Sequence, residues 1–406
     1  MQLMIMAFFL YYITMVFEAP IRYFLGMLGI PYVLYIRDLL LIILLVVEIS
    51  KTRCLIYFEI FGIIVIYSLI GLWYTENLNQ VLWGIKTIYP LFFGMCAYEY
   101  YIKNIAQYSK IYAILFFSSC VGLLLHWYLG DPFWTHMPDN ELTNIENVRN
   151  WSFSYDGDVI NRLGGFSRTS IDVAALLSIG VLYLISFSRW YLIYGGILIG
   201  ALMLTTTKAN IVAAVLLFCL LIVKLFNKKI YLSLLKISAI LSILLMIIVP
   251  IFSTEIINII SSFDYGTMYV LLLSLGDRIV NTWPASLDII SNYGSYVLGR
   301  GIGGIGFSTV QFEKIAPNPI VTDSSFLYLY GSIGILGIIF LAMLIWKIYE
   351  SDTRYNRLSE FMLLVIHQFF LIGVTTDMLN QVVLLHLGLA LRWAINARRF
   401  CCSTLE

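Results

Sequence analysis

The sequence predicts an all-α polytopic membrane protein of about twelve transmembrane helices, with two long loops on one face. Three observations carry that prediction. Hydrophobic residues make up 60% of the chain and charged residues only 12%, a balance found in membrane proteins and not in soluble domains. The apolar runs are of membrane length, and 406 residues leave room for about a dozen spans of roughly 20 residues each. Two polar stretches, 130–169 and 253–323, interrupt this pattern while every other loop is short.

Taken in order, each run is bounded by charge or turn residues. The first, 1–18, starts at Met1-Gln2-Leu3-Met4, which lacks a basic segment and a small-residue cleavage site and so reads as a span, not a signal peptide. The next, 31–50, ends at Lys51, and 54–73 starts after Arg53. The runs 80–98 and 108–129 flank Lys103, and the second ends at the first long loop. The runs 170–188 and 190–207 meet at Arg189, while 190–207 and 209–226 meet at Lys208 after Thr205-Thr206-Thr207. Lys228-Lys229 opens 230–252, which ends at the second long loop. After it come 324–347, closing on Lys347, then 358–376 after Arg357, and a short last run at 379–396.

Loop charge orients these spans. One alternating set of loops holds Lys51, Arg53, Lys103, Lys110, Arg189 and ten further Lys or Arg; the other holds eight, namely Arg22, Arg149, Arg162, Arg168, Lys208, Arg278, Arg300 and Lys314. Basic residues accumulate on the cytoplasmic side, so the richer set and both termini face inward. The two long loops face outward and carry twelve of the chain's 24 acidic residues. None of the six cysteines lies in an outward loop, and no disulfide framework is implied. A net charge of +1 gives no basis for nucleic-acid binding.

Charges within spans need a reason, since each costs roughly 2.5–3.5 kcal/mol at the bilayer centre. Arg37, Asp38 and Lys86 sit about two turns below the outer surface, level with Lys208 and beneath loops bearing Arg162, Arg168, Arg278 and Arg300. Two readings stand. Arg37 and Asp38 form a neighbouring pair while the lysines reach up to the interface, or the set binds a strongly anionic group such as a lipid-linked diphosphate. The second reading takes Lys86, Arg162, Arg168 and Arg300 as diphosphate ligands.

Within the second loop, Ile279, Trp283, Leu287 and Ile290 recur at helical spacing, suggesting an amphipathic helix on the membrane with Arg278 at its start. Pro284 would kink it unless a second helix opens there. Gly301-x-Gly303-x-x-Gly306 formally matches a dinucleotide fingerprint but lacks the strand–turn–helix context; it reads as a tight turn that brings backbone close to a ligand, or as a flexible loop. Asp323 either caps the following helix, a role open also to Thr322 and Ser324, or serves as a base or an acceptor-sugar ligand. In the first loop Trp134, Trp151, Phe153 and Tyr155 near Asp156 and Asp158 read as a sugar-contacting surface or as interfacial anchors. Two carboxylates underfill a hard cation's shell, and the four histidines assemble no metal site or triad.

Several segments together resemble the O-antigen polymerase and ligase superfamily of envelope glycosyltransferases. Arg162-Leu163-Gly164-Gly165-Phe166-Ser167 is similar to its R-x-G-x-F entry, and Thr206-Thr207-Lys208-Ala209-Asn210 to its S-R-x-x turn with Lys in place of Arg. Arg278 to Trp283, followed by Gly299-Arg300-Gly301-Ile302-Gly303, resembles the R…W…G-x-G-x-G run of the large periplasmic loop. Thr322-Asp323-Ser324-Ser325-Phe326-Leu327 resembles that loop's exit, where ligases usually carry a His, so the likeness points to the polymerase of the Wzy type. The resemblance implies a GT-C-like fold, no metal or other cofactor, and undecaprenyl-diphosphate-linked glycan as donor and acceptor. It further implies a chain-length-regulating co-polymerase as partner in the bacterial inner membrane.

On that reading Lys208 and Arg278, with Lys86 and Arg300, stabilise the diphosphate leaving group. Asp323 is the expected base, Asp158 its reserve, and Asp158, Trp283 and Trp151 contact sugar. The alternatives are a ligase moving glycan onto lipid A-core, and a flippase for the same lipid, which would carry paired repeats with broken helices.

Overall fold

The computed structural model describes residues 2–51, 55–136, 151–155, 158–253, 255–256, 275–316, 321–351, 356–377 and 380–396. The expected runs are helical. α1 (Gln2–Val16) is followed by α2 (Glu18–Met27), bent from it by 80°. A 3₁₀ turn at Pro31–Tyr35 leads into α3 (Ile36–Lys51), then α4 (Leu55–Thr75), α5 (Leu78–Lys103) and α6 (Ile105–Leu129). α7 (Ser170–Phe187), α8 (Tyr191–Thr205), α9 (Lys208–Phe226) and α10 (Lys228–Ile251) form the middle of the chain.

The second polar stretch contributes α11 (Trp283–Tyr293) and the short α12 (Phe307–Phe312). The run expected at 324–347 is two helices, α13 (Ser325–Ile333) and α14 (Ile335–Glu350), broken at Gly334 with φ +58°. α15 (Arg357–Ile372) and α16 (Gln381–Asn396) complete the bundle. Among the described residues six helices are long and apolar enough to cross a membrane, and a seventh if α1 and α2 count as one bent span.

Side chains on the outside of the bundle are those a bilayer would accept. Leu39, Ile43, Phe58, Ile66, Leu69 and Phe226 are all exposed, and soluble monomers rarely expose apolar surface on this scale. Inside, α1, α5, α6, α7, α15 and α16 share one hydrophobic core. Its tightest seam joins α5 to α16, where Gly94 lies directly on the Leu385 carbonyl and Gly388 on the Leu91 carbonyl. Small residues let helix backbones meet in this way. Some polar groups within the core are matched: Lys224 and Tyr231 both donate to Glu360, and His386 Nδ1–H donates to Val382 O while its Nε2 lies within hydrogen-bond distance of the Tyr12 and Tyr112 hydroxyls.

One element departs from the all-helical expectation. β1 (Trp151–Tyr155) pairs antiparallel with β2 (Asp158–Arg162), in register from Trp151 opposite Arg162 to Tyr155 opposite Asp158. The sequence carried a signal for this hairpin in Asp156-Gly157, a dipeptide that hairpins favour, following the alternating Trp151-Ser152-Phe153-Ser154-Tyr155; that pair itself lies outside the described residues.

Candidate functional site

At the end of the bundle that loop charge assigns to the outer face, a cavity of about 780 Å³ gathers residues from nearly every segment of the chain. Its size falls within the range of ligand sites, ~300–1,000 Å³. Arg22, Arg37, Lys86, Arg162, Arg168, Lys208 and Arg278 line it, against the carboxylates Glu18, Asp172, Asp323 and Asp377. Lower on the wall, Val212, Leu245 and Val249 of α9 and α10 continue it as apolar surface.

Lys208 is the first residue of α9 and Arg278 the first of a π turn, Arg278–Thr282. A lysine at a helix N-terminus opposes the helix dipole, so an anion there relieves both. The turn ahead of it is strained: Thr206 has φ +53°, a left-handed conformation that a β-branched residue seldom adopts. Asp323 is left-handed as well, at φ +43°, and such strain collects at functional sites. Among the described residues, Arg168 Nε and Thr206 Oγ1 are buried without a protein partner.

The remaining cations are held at fixed positions. Lys86 Nζ sits 4.2 Å from the Tyr35 ring centre and 4.0 Å from that of Trp83, an arrangement that keeps the charge oriented within an aromatic notch. Glu18 is a hub, accepting from Arg22 at 2.7 Å and from Arg37 at 3.3 Å. Arg37 therefore pairs chiefly with Glu18; its neighbour Asp38 lies 3.8 Å away and accepts from Tyr89 at 2.6 Å. Arg162 ends β2, and burial, then the nearby Arg278, push its guanidinium pKa down.

Arg278 Nε stands 3.2 Å from Asp323 Oδ2. Burial raises the Asp323 pKa while Arg278 pulls it back. The cap of α13 is Ser324, whose side chain accepts from Leu327 N, so Asp323 is released from that duty. Asp172 is bound on both sides, by Thr169 Oγ1 at 2.7 Å and by Asn380 Nδ2 at 2.6 Å.

Of the residues expected at the site, Lys86, Arg162, Arg168, Lys208, Arg278 and Asp323 line the one cavity. Arg300 is placed elsewhere, and the expectation that it stands beside Arg278 is corrected. Its guanidinium is fully buried, donating to Glu313 at 2.7 and 3.1 Å and to Gly304 O and Tyr293 O. Trp283 is corrected likewise. It is fully buried in the core, where a sugar has no access, and its indole N–H points to Asp323 O at 3.4 Å. Trp151 and Asp158 lie at the two ends of the hairpin strands, but their side chains fall outside what the structure describes.

The glycine cluster approaches helices, not a ligand. Ile302 N donates to Tyr67 O, Gly303 packs on Gly84 and Gln80, and Gly301 on Gly71. The four glycines at 299, 301, 303 and 306 have positive φ, which a Cβ would oppose. The amphipathic segment is also corrected: Ile279, Trp283 and Ile290 are buried in the protein, and Pro284 opens α11 after the π turn.

Sequence reasoning missed Glu18, Asp172, Asp377 and Asn380. The signals were slight. Thr169-x-x-Asp172 is a capping box at the start of α7, and Thr375-Thr376-Asp377 is a short polar turn between two apolar runs. Among the described residues no three of His, Cys, Asp or Glu converge to hold a metal ion. Comparison with protein-family models, curated proteins and solved structures finds no match to this chain.

Proposed function

We propose that this chain is a glycosyltransferase of the O-antigen polymerase type. It would join lipid-diphosphate-linked oligosaccharide repeats at the outer face of a bacterial inner membrane, within a twelve-span, GT-C-like frame. The observation that carries the reading is the cavity's composition. Seven cations meet at one end of an apolar bundle, above a wall of aliphatic side chains. A diphosphate attached to a lipid matches both halves: its oxygens take Arg forks and Lys point charges, and its chain takes the aliphatic wall.

In the reaction, an acceptor hydroxyl attacks the sugar carbon bonded to the donor diphosphate. The carbon–oxygen bond breaks, and negative charge grows on the departing lipid diphosphate. Arg278, Lys208, Arg162 and Arg168 meet that charge, and preorganised donors of this kind act most strongly where charge develops. Glycan enters from the loop side, past the hairpin and the segment ending at Asp323. The co-polymerase partner and the undecaprenyl chain come with the resemblance to the family.

Deleting the gene in its host and running the surface glycan on a gel separates the readings. A polymerase predicts molecules capped by a single repeat, a ligase predicts none attached, and a flippase predicts no repeats on the outer face. Complementation with Arg278→Ala or Lys208→Ala is expected to slow chain extension by about 10²–10³. Normal ladders from both variants at normal protein levels would sink the leaving-group assignment.

A further inference from the structure

Resting on the polymerase reading, we infer that Asp377 is the general base that takes the proton from the acceptor hydroxyl. Of the cavity's four carboxylates, Glu18 is held by Arg22 and Arg37, Asp172 by Thr169 and Asn380, and Asp323 by Arg278. Among the described residues, no basic side chain pairs with Asp377. A carboxylate already paired with a cation, or with both oxygens taken by hydrogen-bond donors, is a poor proton acceptor, since accepting the proton forfeits those bonds. Asp377 feels Arg278 only at longer range, without a direct pair to forfeit among the described residues. It sits half-buried in the turn between α15 and α16, where Thr375, Thr376 and Asn380 also line the cavity.

Its surroundings suit the task. Burial, followed by the charge of Asp323, pushes the Asp377 carboxyl up to about 7, while its own backbone N–H and Arg278 pull down. Tyr328 of α13 is the other titratable neighbour that senses its charge. A base is most effective when its pKa lies near the working pH. The division of labour is then clear. Arg278, steadied by Asp323, faces the diphosphate, and Asp377 faces the acceptor. The hydroxyl proton passes to Asp377 as the acceptor oxygen bonds to the sugar carbon, and the electron pair of the broken bond leaves on the lipid diphosphate. Water then takes the proton from Asp377.

The test uses purified full-length protein and lipid-linked single repeats extracted from the deletion strain, with undecaprenyl diphosphate as the binding probe. Asp377→Asn is expected to bind the probe as the parent does and to extend chains about 10²–10⁴-fold more slowly. Asp377→Glu should recover part of the rate. The parent's rate should fall below an inflection near neutral pH, and that inflection should vanish in Asp377→Asn. An Asp377→Asn protein extending within twofold of the parent would overturn the base assignment and leave the polymerase reading standing. A parent that neither binds the probe nor extends the repeats would overturn both. If Asp377→Asn loses probe binding along with rate, Asp377 shapes the site instead of moving a proton, which also overturns the assignment.

Discussion

At the scale of single residues, the site is a set of charges distinguished by what already holds them. Asp377 and Asp323 are both carboxylates raised by burial, and both feel Arg278, but among the described residues only Asp323 is in direct ion-pair contact with it. This difference makes a stability prediction with a definite sign. An unfolded Asp titrates near ~3.9, whereas folded Asp377 titrates at about 7. The folded state therefore holds the proton more tightly, and charging Asp377 destabilises the fold. The penalty is absent below the unfolded value, grows between the two, and is complete above 7. Asp377→Asn should thus raise Tm relative to the parent at pH 8 and leave it nearly unchanged at pH 4, measured by thermal melting in detergent. An equal gain at both values would mean that the charge is not the source. A residue that gains stability when its chemistry is removed is what a functional position predicts.

At the scale of elements, Arg300 and Glu313 hold the second polar stretch together. The pair is fully buried, and Gln80 of α5 also donates to Glu313. Removing one partner of such a pair costs about 3–5 kcal/mol, because the other charge stays buried. Arg300→Ala should therefore lower the amount of folded protein in membranes, whereas Arg278→Ala should leave it near the parental level. Quantitative immunoblotting of the two variants separates them, and a normal level for Arg300→Ala would contradict the structural role. Sequence alone set both arginines in one outward loop with glycines nearby and gave no means of telling them apart. What separates them is a contact at a distance: Gln80 and Gly84 of α5 pack on the loop 220 residues further along. Lys208 was legible for the opposite reason, since a charge between two apolar runs fixes its own depth. Asp377 was not, because a lone carboxylate in a short turn looks like any other until its neighbours are placed.

For the whole molecule, the twelve apolar runs were legible because each carries its own hydropathy, and each holds at least one helix among the described residues. The bends at Val16–Glu18 and Gly334 were not, since a break in helix direction leaves the hydropathy of a run unchanged. Every cavity segment falls at the end that loop charge assigns outward, giving a test of orientation. In a cysteine-free background, Lys208→Cys should react with a membrane-impermeant maleimide added to the outside of spheroplasts. Lys228→Cys, exposed in the α9–α10 connection at the opposite end of α9, should react only after the membrane is opened. The reverse pattern would invert the site.

The glycine seam between α5 and α16 has a mechanical consequence. Where backbone rests on backbone there is no side chain to change rotamer, so the two helices move as one post. Lys86 rises from one half of that post, and the turn carrying Asn380 and Gln381 is mounted on the other. On the proposed reading, a lipid would then be admitted from the opposite side, where Val212, Leu245 and Val249 of α9 and α10 line the cavity. The molecule would work like a door hung on a rigid jamb, with Lys86, Asn380 and Gln381 on the jamb and Lys208 on the leaf.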